Sequence, residues 1–378
     1  MPVARIIKSN YSLRMNRVAL LSAANCIHAI RWANGLASKG LDVHLITLHH
    51  LTHDLDERVK MHELPMKTPY GYLGSAVALT KLLRSIRPDI LNAHYATGYG
   101  FLAQMSMFRP LLLSVYGSDV YDFPEKSPLH RMLLMKNLRS ATAIASTSKC
   151  MARKTAETYR HEHVFITPFG VDERLFVPDV HRKKNDRVVI GTVKTLKDKY
   201  GIDTLIEAFS IVLKTLADEM MVTLEITGDG PDLGSLRQLA TRIGVENKVT
   251  FFPGVPHRMV PGMLHRLDIY AALSRLDSES FGVAIIEAGA CELPVVVSDA
   301  QGPSEVVVDG GTGIIVPRNS PEQAANALLK LIENRSTREA YGKSARKHVM
   351  DKYTWSASLD LMIDAYEKTI GIRKVKSI

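Results

Sequence analysis

Short β-branched and apolar runs alternate with amphipathic helical segments along nearly the whole sequence, and the alternation occurs in two successive series. The first series spans residues 18–167 and the second spans residues 187–317. Residues 167–186 contain two prolines, a glycine and a charged cluster without helical period, which is typical of a linker. Strand–helix alternation favours a parallel sheet covered by helices on both faces. We therefore predict an α/β fold with two tandem Rossmann-like, doubly wound parallel-sheet domains and an interdomain cleft, at the strand ends where such sheets bind ligands.

The same periodicity predicts individual boundaries. Apolar residues recur at helical spacing over residues 28–39, and Gly40 follows as a C-terminal helix cap. The predicted strands are 18–23, 42–47, 89–93, 111–116, 141–146, 163–167, 187–193, 224–228, 249–252, 267–273, 294–299 and 312–317. The predicted organisation is an extension at 1–15, a first domain at 16–168, a linker at 169–186, a second domain at 187–352, and a C-terminal helix at 353–378 that crosses back to the first domain.

Composition narrows the class of protein. The chain has 378 residues, of which 46% are hydrophobic and 23% charged, and this argues against wholesale disorder. It contains no run of about 18 uncharged apolar residues, so no transmembrane helix is expected. The segment before Met15 lacks the apolar core of a secretory signal. The three cysteines, Cys26, Cys150 and Cys291, are far apart, which favours a reducing compartment, and we expect a cytoplasmic protein.

Positive charge is concentrated in the first half of the chain. Residues 1–180 carry 22 Lys and Arg against 14 Asp and Glu, whereas residues 181–378 carry 26 against 25. A basic half suggests an anionic partner such as a phospholipid surface or a lipid-linked pyrophosphate. No nucleic-acid-binding motif is present, so no nucleic acid partner is expected. Residues 130–139 predict a basic amphipathic helix, which suits either a membrane surface or a packed helix with a basic outer face.

The segment from Glu279 to Glu287 is the most informative part of the sequence. It lies between a predicted strand and the strand that starts near Pro294. Ser280 is expected to cap a helix that begins at Phe281, which would leave the amides of Phe281 and Gly282 free for an anion such as a diphosphate. Glu287 would then lie inside the helix on an apolar face. An unpaired carboxylate is costly there, so we expect it to have a hydrogen-bonding partner.

This segment resembles the E-x7-E signature of glycosyltransferase family 4, which contains retaining enzymes of the GT-B fold. Other parts of the sequence resemble the family's motifs in the same order, and the resemblance covers about residues 16–370. These parts are residues 168–172 with Phe176 and Pro178, residues 191–199, residues 228–230, residues 302–307 and residues 311–313.

The resemblance implies a donor site in the second domain. Lys194 and Lys199 would contact the donor diphosphate, and their charge would stabilise the leaving group. Glu279 would lie beside the transferred sugar, and Glu287 would hold the ribose hydroxyls. Further donor-binding residues implied by the resemblance are Gly228, Gly230, Ser280, Phe281, Gly282 and Val283.

The resemblance places the acceptor in the first domain. Residues 116–119, Tyr-Gly-Ser-Asp, are similar to a family motif that begins with histidine, so Tyr116 stands at the usual histidine position. Tyr116 and Gly117 are expected on the acceptor side, with Asp119 orienting a hydroxyl. His94, at the end of a predicted strand, is a second catalytic candidate. Asn25, in a turn before the first helix, is a further acceptor-side candidate.

Together these features predict a retaining hexosyltransferase that uses a nucleotide diphosphate sugar, with UDP as the expected nucleotide. The acceptor would be a glycan or a lipid-linked molecule of cell-surface polysaccharide synthesis, such as lipopolysaccharide or capsule. No cofactor and no metal are expected, because lysines supply the positive charge and the Asp54-Leu55-Asp56 motif lies in a polar stretch. The enzyme would be cytoplasmic, with peripheral contact at the inner face of the plasma membrane. Two alternatives remain open: a nucleotide-sugar epimerase of the same fold, and a catalytically quiet partner subunit.

Overall fold

The computed structural model describes residues 15–179, 187–216 and 221–375 of the chain. These residues form two compact units. The first unit contains residues 15–145, 156–165 and 359–375, and the second contains residues 146–155 and the described part of 166–358. Most of the predicted extension at 1–15, the end of the predicted linker and the last residues of the predicted C-terminal helix lie outside the described residues.

The first sheet has seven strands in the order β3-β2-β1-β4-β5-β6-β7. Val18 of β1 pairs in parallel with Val43 of β2 and with Ile90 of β4. The central strands β1, β4 and β5 are almost entirely buried, as expected of a parallel sheet with both faces covered. The strands are β1 Arg17–Leu21, β2 Asp42–Thr47, β3 Lys60–Glu63, β4 Ile90–His94, β5 Leu111–Val115, β6 Ala143–Ser146 and β7 Val164–Ile166.

Helices connect these strands. The first ends one residue before Lys39, and Gly40 follows with a φ angle of +86°, so the predicted glycine at this helix end is confirmed. The helices up to β7 are α1 Ile27–Ser38, α2 Gly71–Gly74, α3 Ala76–Ile86, α4 Gly98–Ser106, α5 Ser118–Tyr121, α6 Pro128–Ser140 and α7 Lys149–Thr158.

The second sheet has six strands in the order β10-β9-β8-β11-β12-β13, and all neighbouring pairs are parallel. Its strands are β8 Val188–Val193, β9 Val222–Thr227, β10 Val249–Phe252, β11 Ile269–Ala272, β12 Val295–Ser298 and β13 Gly313–Val316. The helices after β8 are α8 Ile202–Thr215, α9 Leu233–Arg242, α10 Val260–Leu264, α11 Val283–Ala290, α12 Gln301–Glu305, α13 Pro321–Glu333, α14 Arg335–Lys352 and α15 Trp355–Val375. No helix in the described part of the chain has the length and apolar character needed to cross a bilayer.

The predicted α/β fold with two parallel sheets is confirmed. One strand of the first sheet was not predicted. Strand β3, with the sequence Lys-Met-His-Glu, lies at the edge of the first sheet and pairs with β2 alone. Charged side chains are common on edge strands, so this strand has no apolar run that would identify it.

The last helix, α15, provides buried side chains to the first unit. Tyr366 is fully buried, and its hydroxyl donates a hydrogen bond of 2.9 Å to Oδ1 of Asn92 on β4. Leu359 and Met362 are also buried. Residues 359–375 are therefore part of the core of the first unit although they follow the second unit in sequence.

Candidate active site

The second unit pairs two of the predicted site residues. Lys194 follows β8 directly, and Glu279 lies in the loop between β11 and α11. The Nζ atom of Lys194 is 2.6 Å from Oε1 of Glu279, and the two side chains are only 13% and 10% exposed. A nearly buried ion pair of this kind neutralises two charges that would each be costly if left alone. The residues predicted to bind diphosphate and to face the sugar therefore contact each other.

A tyrosine ring joins the two predicted diphosphate-binding lysines. Lys199 and Tyr200 belong to the 3₁₀ turn Asp198–Tyr200. The Tyr200 ring centroid is 4.5 Å from Nζ of Lys194 and 4.8 Å from Nζ of Lys199. Burial, together with the negative charge of Glu279, raises the pKa of Tyr200 well above its ordinary value, so the phenol stays neutral. A ring face attracts cations within about 6 Å, and Tyr200 thus holds both lysines in one cluster that the motif did not reveal.

The loop after β9 packs closely against the backbone of Lys194. Gly228 has a φ angle of +151°, and a Cβ atom at this position would lie 1.9 Å from the carbonyl oxygen of Lys194. A Cβ atom on Gly230 would similarly lie 2.1 Å from the carbonyl oxygen of Leu196. Only glycine permits so close an approach between the two loops. Both predicted glycines therefore allow the loop after β9 to pack tightly against the backbone of residues 194–196.

The predicted helix start at Phe281 is wrong, because α11 begins at Val283. Gly282 precedes the helix with a φ angle of +97°, a conformation that favours glycine. Ser280 is close by, but its side chain does not cap the helix, and its carbonyl oxygen accepts a 2.6 Å hydrogen bond from the Ser148 hydroxyl. Within the described residues the amides of Phe281, Gly282, Val283 and Ala284 donate no hydrogen bond.

The side chain of Phe281 has a packing role. It is buried and forms edge-on contacts with the rings of Phe169 and Tyr353, at centroid distances of 6.2 and 5.7 Å. These contacts hold the loop that precedes α11, so the free amides at the helix start are presented on a fixed backbone. Such amides, at the positive end of a helix dipole, attract negative charge.

Glu287 lies on the buried side of α11, as predicted, and its partner is a histidine. Nε2 of His257 is 2.7 Å from Oε1 of Glu287. Tyr270 is nearby on β11; burial raises the pKa of its phenol, and the charges of Glu287 and Glu279 raise it further. Both glutamates therefore influence the same buried hydroxyl. His257 lies outside every recognised motif and 30 residues before Glu287, so the motifs do not predict its contact with Glu287.

In the first unit, the Asp119 carboxylate is hydrogen-bonded to backbone amides and is not free. It is buried in α5 and accepts hydrogen bonds from the amides of Ala96, Tyr116 and Gly117 at 2.8, 3.1 and 2.9 Å. Burial raises the pKa of this carboxyl above its ordinary value, although the amide hydrogen bonds act in the opposite direction. Gly117, with a φ angle of +129°, forms the turn that brings these amides together.

His94 ends β4 and is completely buried. Its Nε2 atom is 3.1 Å from Oδ1 of Asn92, whose Nδ2 atom donates to Ser114 and to the carbonyl oxygen of Leu112. Nε2 of His94 therefore carries the proton. Burial, with a further effect of the His28 ring, lowers the pKa of His94 to about 3. A histidine with this pKa is neutral near pH 7 and is a weak base, which does not favour the predicted catalytic role.

The other acceptor-side candidates differ in exposure. The Tyr116 ring is near the His94 ring, with centroids 5.1 Å apart, and burial raises the pKa of its phenol well above its ordinary value. Asn25 is exposed and precedes Cys26, the residue at the start of α1, where no side chain caps the helix. Tyr116 is thus partly buried, whereas Asn25 is accessible to solvent.

The aspartates of the Asp54-Leu55-Asp56 motif lie before β3. Both Asp56 carboxylate oxygens accept hydrogen bonds from the guanidinium of Arg58, at 2.8 and 2.6 Å. Among residues 15–179, 187–216 and 221–375, no group of three His, Cys, Asp or Glu side chains has the arrangement of a metal site.

Comparisons with known proteins agree with this architecture. The family model described as Glycosyl transferases group 1 matches residues 173–348, and the model described as Glycosyl transferase 4-like matches residues 17–148. The D-inositol 3-phosphate glycosyltransferase of Jonesia denitrificans is 26% identical, over 91% of this chain and 90% of that protein.

Two further proteins are similar. The GDP-mannose-dependent alpha-(1-6)-phosphatidylinositol monomannoside mannosyltransferase of Mycolicibacterium smegmatis is 28% identical over 68% of this chain and 69% of that protein. The crystal structure of Anabaena Alr3699/HepE in complex with UDP and glucose shares the fold, with a TM-score of 0.76 at 17% identity over 93% of this chain and 99% of that chain. Because the two matched regions cover most of the sequence, the chain belongs to glycosyltransferase family 4 of the GT-B fold and is a glycosyltransferase.

Proposed function

We propose that this glycosyltransferase moves a hexosyl group from a nucleoside diphosphate sugar to an acceptor hydroxyl, with retention of configuration at the sugar and without a metal ion. The observation that carries the proposal is the Lys194–Glu279 pair, since its 2.6 Å contact holds a lysine and a carboxylate together in a nearly buried position. Lys199 and the free amides before α11 add positive potential in the same unit. These groups together suit a diphosphate leaving group.

In this mechanism Lys194 changes partner. Without donor it is neutralised by Glu279, and with donor its ammonium contacts the diphosphate while Glu279 turns toward the sugar. As the bond between the sugar carbon and the phosphate oxygen breaks, negative charge grows on the leaving diphosphate, and both lysines stabilise it. The acceptor hydroxyl attacks from the same face of the sugar, and its proton passes to an oxygen of the leaving phosphate. The lysines supply the charge that a metal would otherwise supply.

Uridine is the nucleotide that we propose. The Anabaena structure of the same fold was determined with UDP, whereas the mycobacterial relative is named for GDP-mannose. UDP, GDP and ADP should therefore be compared by the thermal unfolding midpoint of the protein, each with and without an excess of EDTA. A ligand at 100 times its Kd stabilises the native state by about 2.7 kcal/mol. We expect the largest rise with UDP and no loss of it with EDTA.

Matched variants make this measurement specific. Lys194→Met should abolish most of the rise in midpoint, whereas Lys197→Met, an exposed lysine of the same loop, should not change it. A rise that depends on Mg²⁺ or Mn²⁺ would contradict the metal-free mechanism. Equal rises for all three nucleotides would contradict the choice of uridine.

The acceptor that we propose is a glycan or lipid-linked molecule of cell-surface polysaccharide synthesis, reached by peripheral contact with an anionic membrane. The exposed side of α6 supports this contact. Leu129, Met132 and Met135 are exposed there beside the exposed cations Arg131 and Lys136. Large apolar and basic side chains on one helix surface are typical of helices that lie in a membrane interface.

Vesicle co-sedimentation tests the membrane contact. Vesicles with phosphatidylglycerol should bind the protein, vesicles of phosphatidylcholine alone should not, and the double variant Leu129→Ser/Met132→Ser should reduce binding. The matched control is Met221→Ser, an equally exposed methionine of the second unit. Equal binding of the α6 variant and the wild type would remove this helix from the proposal.

Product analysis separates the transferase from the two alternatives. An epimerase would convert a nucleotide sugar into a stereoisomer without any acceptor, and a catalytically quiet subunit would neither transfer nor hydrolyse the donor. The proposed enzyme slowly hydrolyses UDP-sugar alone and releases a sugar of retained anomeric configuration, which NMR spectroscopy detects directly.

A further inference from the structure

The carboxylate of Glu287 has an asymmetric environment. One oxygen, Oε1, is 2.7 Å from Nε2 of His257. The other oxygen, Oε2, accepts no hydrogen bond from any described residue. It is not fully buried, so solvent reaches it. A buried carboxylate with one oxygen fixed and the other accessible is prepared to accept hydrogen bonds from a ligand.

His257 is itself held in place. It begins the 3₁₀ turn His257–Met259 after β10, and its ring lies 5.4 Å from the ring of the fully buried Phe176. Its side chain is 33% exposed, whereas that of Glu287 is 7% exposed. The histidine therefore reaches from the surface to the carboxylate and limits its rotation. Because Nε2 faces a carboxylate oxygen, this nitrogen carries a proton and donates the hydrogen bond.

The geometry points to His257 as a positioning residue that orients Glu287 to recognise the ribose hydroxyls of a nucleoside diphosphate sugar. This inference rests on the proposed function, in which Glu287 contacts the ribose. His257 fixes one oxygen of the carboxylate, and the second oxygen is thereby directed to accept from a vicinal diol. The side chain of His257 acts through Glu287, without contact to the sugar that is transferred.

The inference predicts a coupling between a protein side chain and two ligand hydroxyls. His257→Ala should weaken the binding of UDP roughly ten- to a hundredfold, as expected when a hydrogen bond to a charged group is lost. It should weaken the binding of 2′,3′-dideoxy-UDP less than about twofold, because this analogue lacks the hydroxyls that Glu287 would bind. In steady-state kinetics the donor KM should rise while kcat is nearly unchanged.

Three further variants separate positioning from a structural effect. His257→Gln should restore much of the affinity, since the glutamine amide also donates a hydrogen bond at a similar distance. His265→Ala is the matched control, because this histidine is in the same region but its Nε2 contacts the carbonyl oxygen of Val177. In a Glu287→Ala background, His257→Ala should have no additional effect on UDP binding.

Isothermal titration calorimetry on the full chain measures the affinity of each variant for UDP and for its dideoxy analogue. Equal weakening of both ligands by His257→Ala, or unchanged UDP affinity, would overturn the inference while leaving the proposed function intact. The inference would also be overturned if Glu287→Ala bound UDP and the dideoxy analogue equally well while His257→Ala still preferred UDP as strongly as the wild type does. If the wild type binds no nucleoside diphosphate, the proposed function fails, and this inference fails with it.

Discussion

The two units hold their polar site residues in different ways. In the second unit, the site residues are paired side chain to side chain, as in Lys194–Glu279 and His257–Glu287. In the first unit, His94 and Asp119 are buried, and the Asp119 carboxylate accepts hydrogen bonds from backbone amides. We propose that the Lys194–Glu279 pair separates when the donor binds, whereas the His257–Glu287 pair stays together. Backbone hydrogen bonds to a buried carboxylate exchange only when the loop itself moves.

This difference separates residues that recognise a ligand from residues that shape its binding surface. A family motif contains both kinds of residue and does not distinguish them. Variants distinguish them, because loss of a shaping residue lowers the free energy of unfolding and loss of a recognising residue lowers affinity or rate.

The largest effect is expected for Asp119→Ala. The change removes the acceptor for three amides, two of them buried, and an unsatisfied buried amide costs about 1–3 kcal/mol. The free energy of unfolding in urea should fall by about 3–6 kcal/mol, whereas Asp122→Ala, an exposed residue of the next turn, should change it little. If the Asp119 variant has normal stability and a low kcat, Asp119 recognises the ligand and does not merely shape its binding surface.

Lys194→Met should mainly affect the reaction. Loss of one preorganised charge that stabilises a leaving group lowers kcat roughly 10²–10³-fold. The unfolding midpoint should also fall, because Glu279 is left unpaired, and the double variant Lys194→Met/Glu279→Gln should recover the midpoint but not kcat. Lys197→Met is the control for both measurements. Recovery of kcat in the double variant would contradict the role of Lys194.

His94 should affect stability in a pH-dependent way. Its pKa is lowered to about 3 in the native state, so below the ordinary value of about 6.5 the unfolded chain gains a proton that the native protein does not. The free energy of unfolding should therefore fall, as pH drops from about 6.5 toward 3, by about 1.4 kcal/mol per pH unit relative to His94→Gln.

Urea unfolding at pH 4.5, 5.5 and 7 measures this difference, with His53→Gln as the control histidine from an exposed loop. Parallel curves for wild type and His94→Gln would show that His94 is protonated in the native state. His94 would then be available for proton transfer, as the sequence predicted.

The smallest effect is expected at Tyr200. Tyr200→Leu removes the ring that contacts both lysines, and each cation–π contact contributes about 0.5–1 kcal/mol at a partly exposed site. UDP affinity should fall roughly three- to tenfold, whereas Tyr200→Phe, which keeps the ring, should retain it. If the phenylalanine variant is as weak as the leucine variant, the hydroxyl rather than the ring is responsible.

The architecture was predictable from sequence because it depends on periodicity. Strands β2 and β10 have the predicted ends, and the other predicted strands differ by a few residues at their boundaries. Edge strand β3 was missed, since its side chains need not be apolar. The start of α11 was misplaced by two residues, because serine at 280 is a common helix cap while the left-handed conformation of Gly282 depends on the surrounding loop.

The site was predictable only in part. Motif spacing identifies Glu279, Glu287 and Lys194 as single residues, but it does not indicate which side chains they contact. His257 and Tyr200 depend on contacts made only in the folded chain, so no local pattern identifies them. Burial is also a tertiary property, and for this reason the lowered pKa of His94 was not anticipated.

Helix α15 has a consequence for synthesis of the protein. The hydroxyl of Tyr366 reaches Asn92 inside the first unit, and these two residues are 274 positions apart in the chain. A ribosome releases the strands of the first unit long before it translates this helix. The buried side chains of Leu359 and Met362 are likewise absent from the first unit until then. The first unit therefore completes its native core only after the whole second unit has been translated.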